Sequence, residues 1–307
     1  MTDTQKNTLN LTADDGHEIA VSVYRPQQPA SGIIQILHGL GEHADRYARF
    51  AAAANDRGLI VVIHNHRGHG ADAKTYGFFA DQNGWEKLTA DALLVQEHIC
   101  NENPGLPLSL LGHSMGSYIA QYFAMHHNAR LSALLLSGST WPSRTQVTVA
   151  RLLALIVGLK HGAKGYSPLL DKLFFGDFNK KFAPARTELD WLSRDESEVD
   201  LYIDDPLCGG PYTTGLWRDL LRGLSFIGSD NSVTRVPGTL PILITGGEMD
   251  PVGGDRGMGN LAMHYAQTGH SRLKVRIYPG GRHEMLNETN RDDVTNDWLD
   301  WIAENAR

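Results

Sequence analysis

Cysteine is scarce in this chain: Cys100 and Cys208 are the two among 307 residues, and they lie far apart. That spacing excludes a disulfide framework and fits a reducing compartment. Long hydrophobic runs are missing too. The longest clear stretch is "LLALIVGL" at 152–159, well short of the ~18 or more apolar residues that a membrane span needs. The start, "MTDTQKNTLN", is polar and carries no apolar core of a secretory signal, so a cytoplasmic location is expected. Positive charge is in deficit: the formal net charge of −7 argues against nucleic acid as a partner and against a simple electrostatic hold on anionic membranes. No internal repeat or low-complexity tract is visible. What remains, 41% hydrophobic and 21% charged residues, is the composition of an ordinary globular protein. Its length allows one large core with an inserted subdomain.

The chain then shows alternation. "TLNLTADDGHEIAVSVYRP" has two alternating runs around Asp14-Asp15-Gly16, a hairpin signal. Buried-strand runs follow at "GIIQILHG" (32–39), "LIVVIHNHRGHG" (59–70, running into a glycine-rich loop), Leu108 to Leu111, "LSALLLSGS" (131–139), "LPILITGGEMDP" (240–251) and "LKVRIYPGG" (273–281). Helical patterns stand between or after them at 45–58, 84–103, 118–127, 255–268 and 289–304. Strands alternating with helices predict an α/β fold with a mostly parallel sheet, helices on both faces, and a ligand site at the carboxyl ends of the strands. Between 140 and 235 the alternation stops. That segment is expected to form an inserted, mainly helical cap over the strand ends, dividing the core into 1–139 and 236–307.

Where the strand 108–111 turns into a helix, the sequence reads Gly112-His113-Ser114-Met115-Gly116. Small residues two before and two after the serine allow a tight strand-to-helix turn that pushes the hydroxyl out at a helix N-terminus, where the dipole favours negative charge. A capping serine in an ordinary turn is the alternative. A catalytic serine needs a base to take its proton and a carboxylate to orient that base. In strand order these should follow as acid and then histidine, each at a strand exit. Asp250 leaves "PILITGGEMDP" and His283 leaves "LKVRIYPGGRHEM"; Glu248 competes with Asp250 but falls earlier. Two N–H donors should face the developing oxyanion. Met115 supplies one, and Leu40, in the loop "HGLGEHADRY" (38–47), supplies the other.

"HGLGEHADRY", "RGHG" (67–70), "GHSMG" and "EMDPVG" (248–253) together resemble the monoacylglycerol lipase and lysophospholipase-like family of α/β-hydrolases over nearly the whole chain. The resemblance implies a cofactor-free serine hydrolase acting on carboxylic esters with a medium or long acyl chain and a small polar alcohol. It assigns Ser114 as nucleophile, Asp250 as acid, His283 as base, and Leu40 and Met115 as oxyanion donors. Monoglyceride-selective mammalian members carry a second histidine three positions after the catalytic one, where this chain has Leu286. Glu42 and Arg46 match the family's loop, either as substrate contacts or as an ion pair bracing it. Short-chain or aromatic esters, thioesters and peptides stay open as substrates.

Two readings of other classes compete. "HNHRGH" (64–69) places His64, His66 and His69 near the pattern of a binuclear metallohydrolase loop, with Gly68 where an aspartate would stand. A non-catalytic binding module would have no need of Asp250 or His283. In the cap, Val149, Leu152, Leu153 and Ile156 share one helical face, near Phe174, Phe175 and Phe178. This face is expected to line an acyl channel, to dock transiently on a lipid surface, or to pack the cap onto the sheet. Oligomeric state has no signature in the sequence.

Overall fold

The computed structural model describes residues 5–229 and 232–306. Eight strands form one sheet: β1 (Gln5–Thr12), β2 (Glu18–Arg25), β3 (Gly32–Leu37), β4 (Leu59–His64), β5 (Leu108–His113), β6 (Leu131–Ser137), β7 (Ile242–Gly247) and β8 (Leu273–Tyr278), in the order β1-β2-β4-β3-β5-β6-β7-β8. The β1–β2 and β2–β4 pairs are antiparallel and the rest are parallel. The order reverses around β3 and β5, a switch point that opens a crevice at the strand ends.

Residues of the central strands alternate between two cores, as a period of two requires. Leu134 and Leu136 face α2 (Gly84–Glu102) and α3 (Met115–His126) on one side, where Trp85, Leu88, Ile119 and Phe123 pack. Leu135, with Ile34, Ile36 and Ile63, faces the opposite layer, where α1 (Ala48–Asp56) packs through Phe50 and Ala51. Both faces are buried, which is why these strands read as continuous apolar runs.

Among the described residues between β6 and β7 stand four α-helices: α4 (Arg144–His161), α5 (Pro168–Phe175), α6 (Glu196–Asp204) and α7 (Thr214–Ile227). After β7 come α8 (Gly254–Gln267), which joins the α2–α3 side through Met258 and Leu261, and α9 (Arg291–Asn305), which joins α1 through Trp298 and Leu299. Of the inserted helices, α7 is seated on the core. A Cβ at Gly223 would fall 2.1 Å from the Trp85 ring, so glycine lets α7 lie flat against α2. Helix α4 packs on α7 through Val147 and Ala154 and turns its other side to solvent. That departs from two of the three expectations for this helix, the channel and the packing onto the sheet. Leu152 and Ile156 are 59% and 56% exposed, so they neither pack the insertion onto the sheet nor line a channel.

No helix among the described residues is long and apolar enough to cross a membrane.

Candidate active site

Strand β5 ends at His113, and Ser114 turns the chain into α3 with φ 51° and ψ −119°. A non-glycine residue there costs of order 1–3 kcal/mol and is held only by its surroundings. The bracing is visible: the Ser114 amide donates to the Ser137 carbonyl at 2.9 Å, and the Ser117 hydroxyl donates to the Ser114 carbonyl at 2.6 Å. Gly112 and Gly116 are needed sterically. A Cβ on Gly116 would sit 1.9 Å from the Leu37 carbonyl oxygen, and one on Gly112 would sit 2.4 Å from the Gly116 carbonyl oxygen. Although Ser114 occupies the N-cap position of α3, its side chain makes no capping hydrogen bond. The hydroxyl faces a cavity instead.

His283 and Asp250 come to the same place from the exits of β8 and β7. The His283 Nδ1 lies 2.9 Å from the Asp250 Oδ1, and both side chains are almost fully buried. The Asp250 Oδ1 also accepts the Val252 amide at 2.8 Å, which fixes the carboxylate. Glu248 turns away and accepts the Gly280 amide at 2.9 Å. With Nδ1–H given to Asp250, the imidazole presents Nε2 as the free base. Burial alone would push the His283 imidazole down, but the Asp250 carboxylate, by charge and hydrogen bond, and then Glu284 and Glu42, raise it above its ordinary value. Next to it, the His113 ring lies 4.8 Å away. Burial, with the charge of His283, pushes His113 down to about 3, so it stays neutral and places no second cation beside His283.

Ser114, His283, Leu40 and Met115 all line one cavity of about 580 Å³, within the ~300–1,000 Å³ typical of small-molecule sites. The Met115 amide opens α3, and the dipole of that helix points its positive end at the cavity. Inserted residues form most of the opposite wall: Phe174, Phe175, Phe178, Trp191, Tyr212 and Trp217. The Trp191 ring lies 5.1 Å from that of His283, and its carbonyl accepts the His283 amide at 3.3 Å. The sequence offered no cue to Trp191. It sits in an irregular segment with no periodicity, where one aromatic residue resembles another.

The polar loop residues brace the site. Arg46 donates to both carboxylate oxygens of Glu284 at 2.6 and 2.7 Å and to Glu42 at 3.1 Å; the Tyr47 hydroxyl donates to Glu42 at 2.8 Å. Burial pushes Glu284 up, but Arg46 outweighs it and holds the carboxyl at about 2. For Glu42, burial wins and the carboxyl is raised. Its side chain also accepts the Gly39 amide, locking the loop that carries Leu40. Of the other substrate-binding candidates, Leu286 lies off the main cavity, packed toward the α1–α9 core beside Arg46 and Tyr47. Leu152 and Ile156 lie outside the cavity wall, because α4 faces its apolar stripe outward.

The histidines of 64–69 do not form a metal centre. His64, His66 and His69 are buried with their rings packed edge to face, the His64–His66 centroids 5.0 Å and the His66–His69 centroids 6.5 Å apart. Among the described residues, their nitrogens do not converge on a shared point. Burial pushes all three down, His64 and His69 to about 4, so they stay neutral. They pack beside His38, whose Nδ1 donates to the Gly39 carbonyl at 2.8 Å and whose Nε2 accepts the His66 amide at 3.0 Å. Arg67 pairs with Asp91 and Asp15.

With this geometry in view, the family model described as serine aminopeptidase, S33, matches residues 28–290. The chain belongs to that family. Its fold is the α/β-hydrolase fold, and its family is one of serine hydrolases. The chain is 27% identical to a monoacylglycerol lipase of Mycolicibacterium smegmatis over 94% of each protein. It is 28% identical to the human monoglyceride lipase, over 94% of this chain and 86% of that protein. Among solved structures, a thermostable carboxyl esterase from Bacillus coagulans in complex with glycerol superposes with a TM-score of 0.90 at 27% identity, covering 98% of this chain and 99% of that one.

Proposed function

We propose that the protein is a carboxylic ester hydrolase of the monoacylglycerol lipase type, working through an acyl-enzyme formed on Ser114. The observation that carries this reading is that Ser114 and the Asp250-bound His283 open together into one largely apolar cavity. His283 takes the Ser114 proton through Nε2 and returns it to the leaving alcohol, while Asp250 holds the tautomer. The amides of Leu40 and Met115 face the oxyanion. The aromatic wall suits an acyl chain, each buried CH₂ contributing up to about 0.8 kcal/mol. The resemblance to monoglyceride lipases and to a glycerol-bound esterase supports glycerol as the alcohol part.

The family's peptidase description fits the cavity less well. A free α-amino group needs an unengaged carboxylate. Of the four carboxylates on the cavity wall, Glu42 and Glu284 are tied to Arg46 and Asp171 accepts the Trp217 Nε1–H at 2.9 Å, which leaves Glu188 alone, itself exposed to solvent. The insertion acts as the cap, spanning 140–235, and its outward face serves a cytoplasmic enzyme that visits lipid surfaces. Leu152, Leu155, Ile156 and Leu159 are each more than half exposed. Residues 144–182 around them carry seven lysines and arginines against two aspartates, so this patch is basic although the whole chain is acidic. An anionic bilayer matches both properties.

Initial rates on monoacylglycerols of increasing chain length, lysophospholipid, p-nitrophenyl esters and an aminoacyl p-nitroanilide test the reading. Monoacylglycerol should be preferred, and folded Ser114→Ala should lose roughly 10⁴-fold or more in kcat. Near-full turnover in that variant, or a preference for the anilide, overturns it.

A further inference from the structure

Outside the catalytic cavity, three chemically suited side chains meet where the inserted segment touches the loop that carries Leu40. A ring nitrogen of His43, a carboxylate oxygen of Asp205 and the Cys208 Sγ all lie within 4.8 Å of one another, an arrangement found once among the described residues. His43 and Asp205 are 2.8 Å apart. The site is built rather than incidental. The Asp205 Oδ1 accepts the Leu207 amide at 2.8 Å and the Asp205 carbonyl accepts the Cys208 amide at 3.0 Å, which together fold 205–208 into a turn that aims carboxylate and thiol the same way. On the other side, the Gly41 carbonyl accepts the Gly209 amide at 2.8 Å and the Tyr202 hydroxyl at 2.7 Å, fixing His43 opposite that turn. His43 is nearly buried while Asp205 keeps 29% of its side chain exposed, leaving a path from solvent.

From this geometry we infer that His43, Asp205 and Cys208 form a binding site for a zinc-class divalent cation that joins the inserted segment to the loop of Leu40. Imidazole, carboxylate and thiolate are the donor types zinc takes, at about 2.0–2.3 Å each, which puts neighbouring ligand atoms about 3.5 Å apart in a tetrahedron. Small side-chain rotations reach that spacing, with His43 and Asp205 parting by about 0.7 Å. Cys208 gives up its thiol proton to solvent, and the His43 proton moves from Nε2 to Nδ1 so that Nε2 carries the lone pair. The loaded site is then neutral: a dication with one carboxylate and one thiolate. Water completes the fourth position. Nearby Arg46 does not repel the ion with a free charge, because Glu42 and Glu284 face it.

The test uses the full chain, with Zn²⁺ titrated by calorimetry and Co²⁺ by absorbance. The expected results are one strong equivalent of Zn²⁺ and a thiolate-to-cobalt charge-transfer band. Both should be weakened at least about tenfold in Cys208→Ser and in His43→Gln, and retained in Cys100→Ser. A cobalt spectrum of the wild type without a thiolate band overturns the site, and needs no variant to fold. Equal zinc affinity in wild type, Cys208→Ser and His43→Gln overturns it as well, because the ion would then sit on other histidines.

Discussion

The chemistry of the site rests on one imidazole whose two nitrogens do different work. Asp250 holds Nδ1–H of His283, and Nε2 must be unprotonated to accept from Ser114. Because the carboxylates around it raise His283 above the ordinary imidazole value of 6.5, the acid limb of kcat/KM should lie above pH 6.5. Activity should be low where the ring is charged and rise through one ionisation as pH increases. In Asp250→Asn the limb should move to lower pH, since the raising charge is gone, while kcat falls by up to about 10⁴-fold from the wrong tautomer. Rates of both proteins from pH 5 to 9 check this; an acid limb that stays in place in Asp250→Asn would separate His283 from the observed ionisation. His113 does not complicate the profile, because it stays neutral far below this range.

At the scale of elements, legibility followed burial. Strands β3 to β7 are buried on both faces, so the starts of their apolar runs were readable to within two residues, although the runs of β4 and β7 carried on into the exit loops. The turn chemistry at the exits of β5, β7 and β8 pointed to Ser114, Asp250 and His283. Helix α3 was readable late: the pattern began at Tyr118, while the helix starts at Met115, because its first turn is glycine and serine packed on β3. The α4 stripe was readable as a stripe, but periodicity does not say what covers a face. Here, among the described residues, Leu152 and Ile156 stay uncovered, since α7 takes the side of Val147 and Ala154, while Val149 and Leu153 border a cleft against Leu173 and Leu224. The substitutions Leu152→Asp and Ile156→Asp should therefore leave folding stability within about 0.5 kcal/mol, as exposed positions do. They should weaken sedimentation with phosphatidylcholine vesicles containing phosphatidylglycerol and leave turnover of a soluble short-chain ester unchanged. A loss of stability instead would place the face in a core, and unchanged vesicle binding would remove its lipid role.

On the scale of the whole molecule, the inserted segment is joined to the core in two ways. Helix α7 is held by apolar packing on α2 and α3, where Gly223 meets Trp85. The stretch 190–195, which brings Trp191 to His283, is instead held by polar bonds to the loop after β8, and these gather on Glu288. Fully buried, Glu288 accepts the amides of Arg194 and Arg282 at 3.1 and 2.9 Å and the Arg194 Nε at 2.8 Å. No periodicity marks such a residue, which is why it could not be read in advance. Its geometry makes it the point where insertion and catalytic loop share a partner. Removing it leaves buried amides without acceptors, so Glu288→Ala should cost about 3 kcal/mol, the lower end for breaking a buried pair. It should also lower kcat more than it raises KM, because it loosens His283 and Trp191 while the α5 and α7 walls of the cavity stay in place. Glu288→Gln, which keeps one acceptor oxygen but loses the charge, should recover part of both losses. Urea unfolding together with steady-state kinetics on one ester decides the matter: an effect on stability alone would make Glu288 a fold residue, whereas a parallel, partly rescued loss of kcat ties the seating of the inserted segment to the working geometry of the histidine.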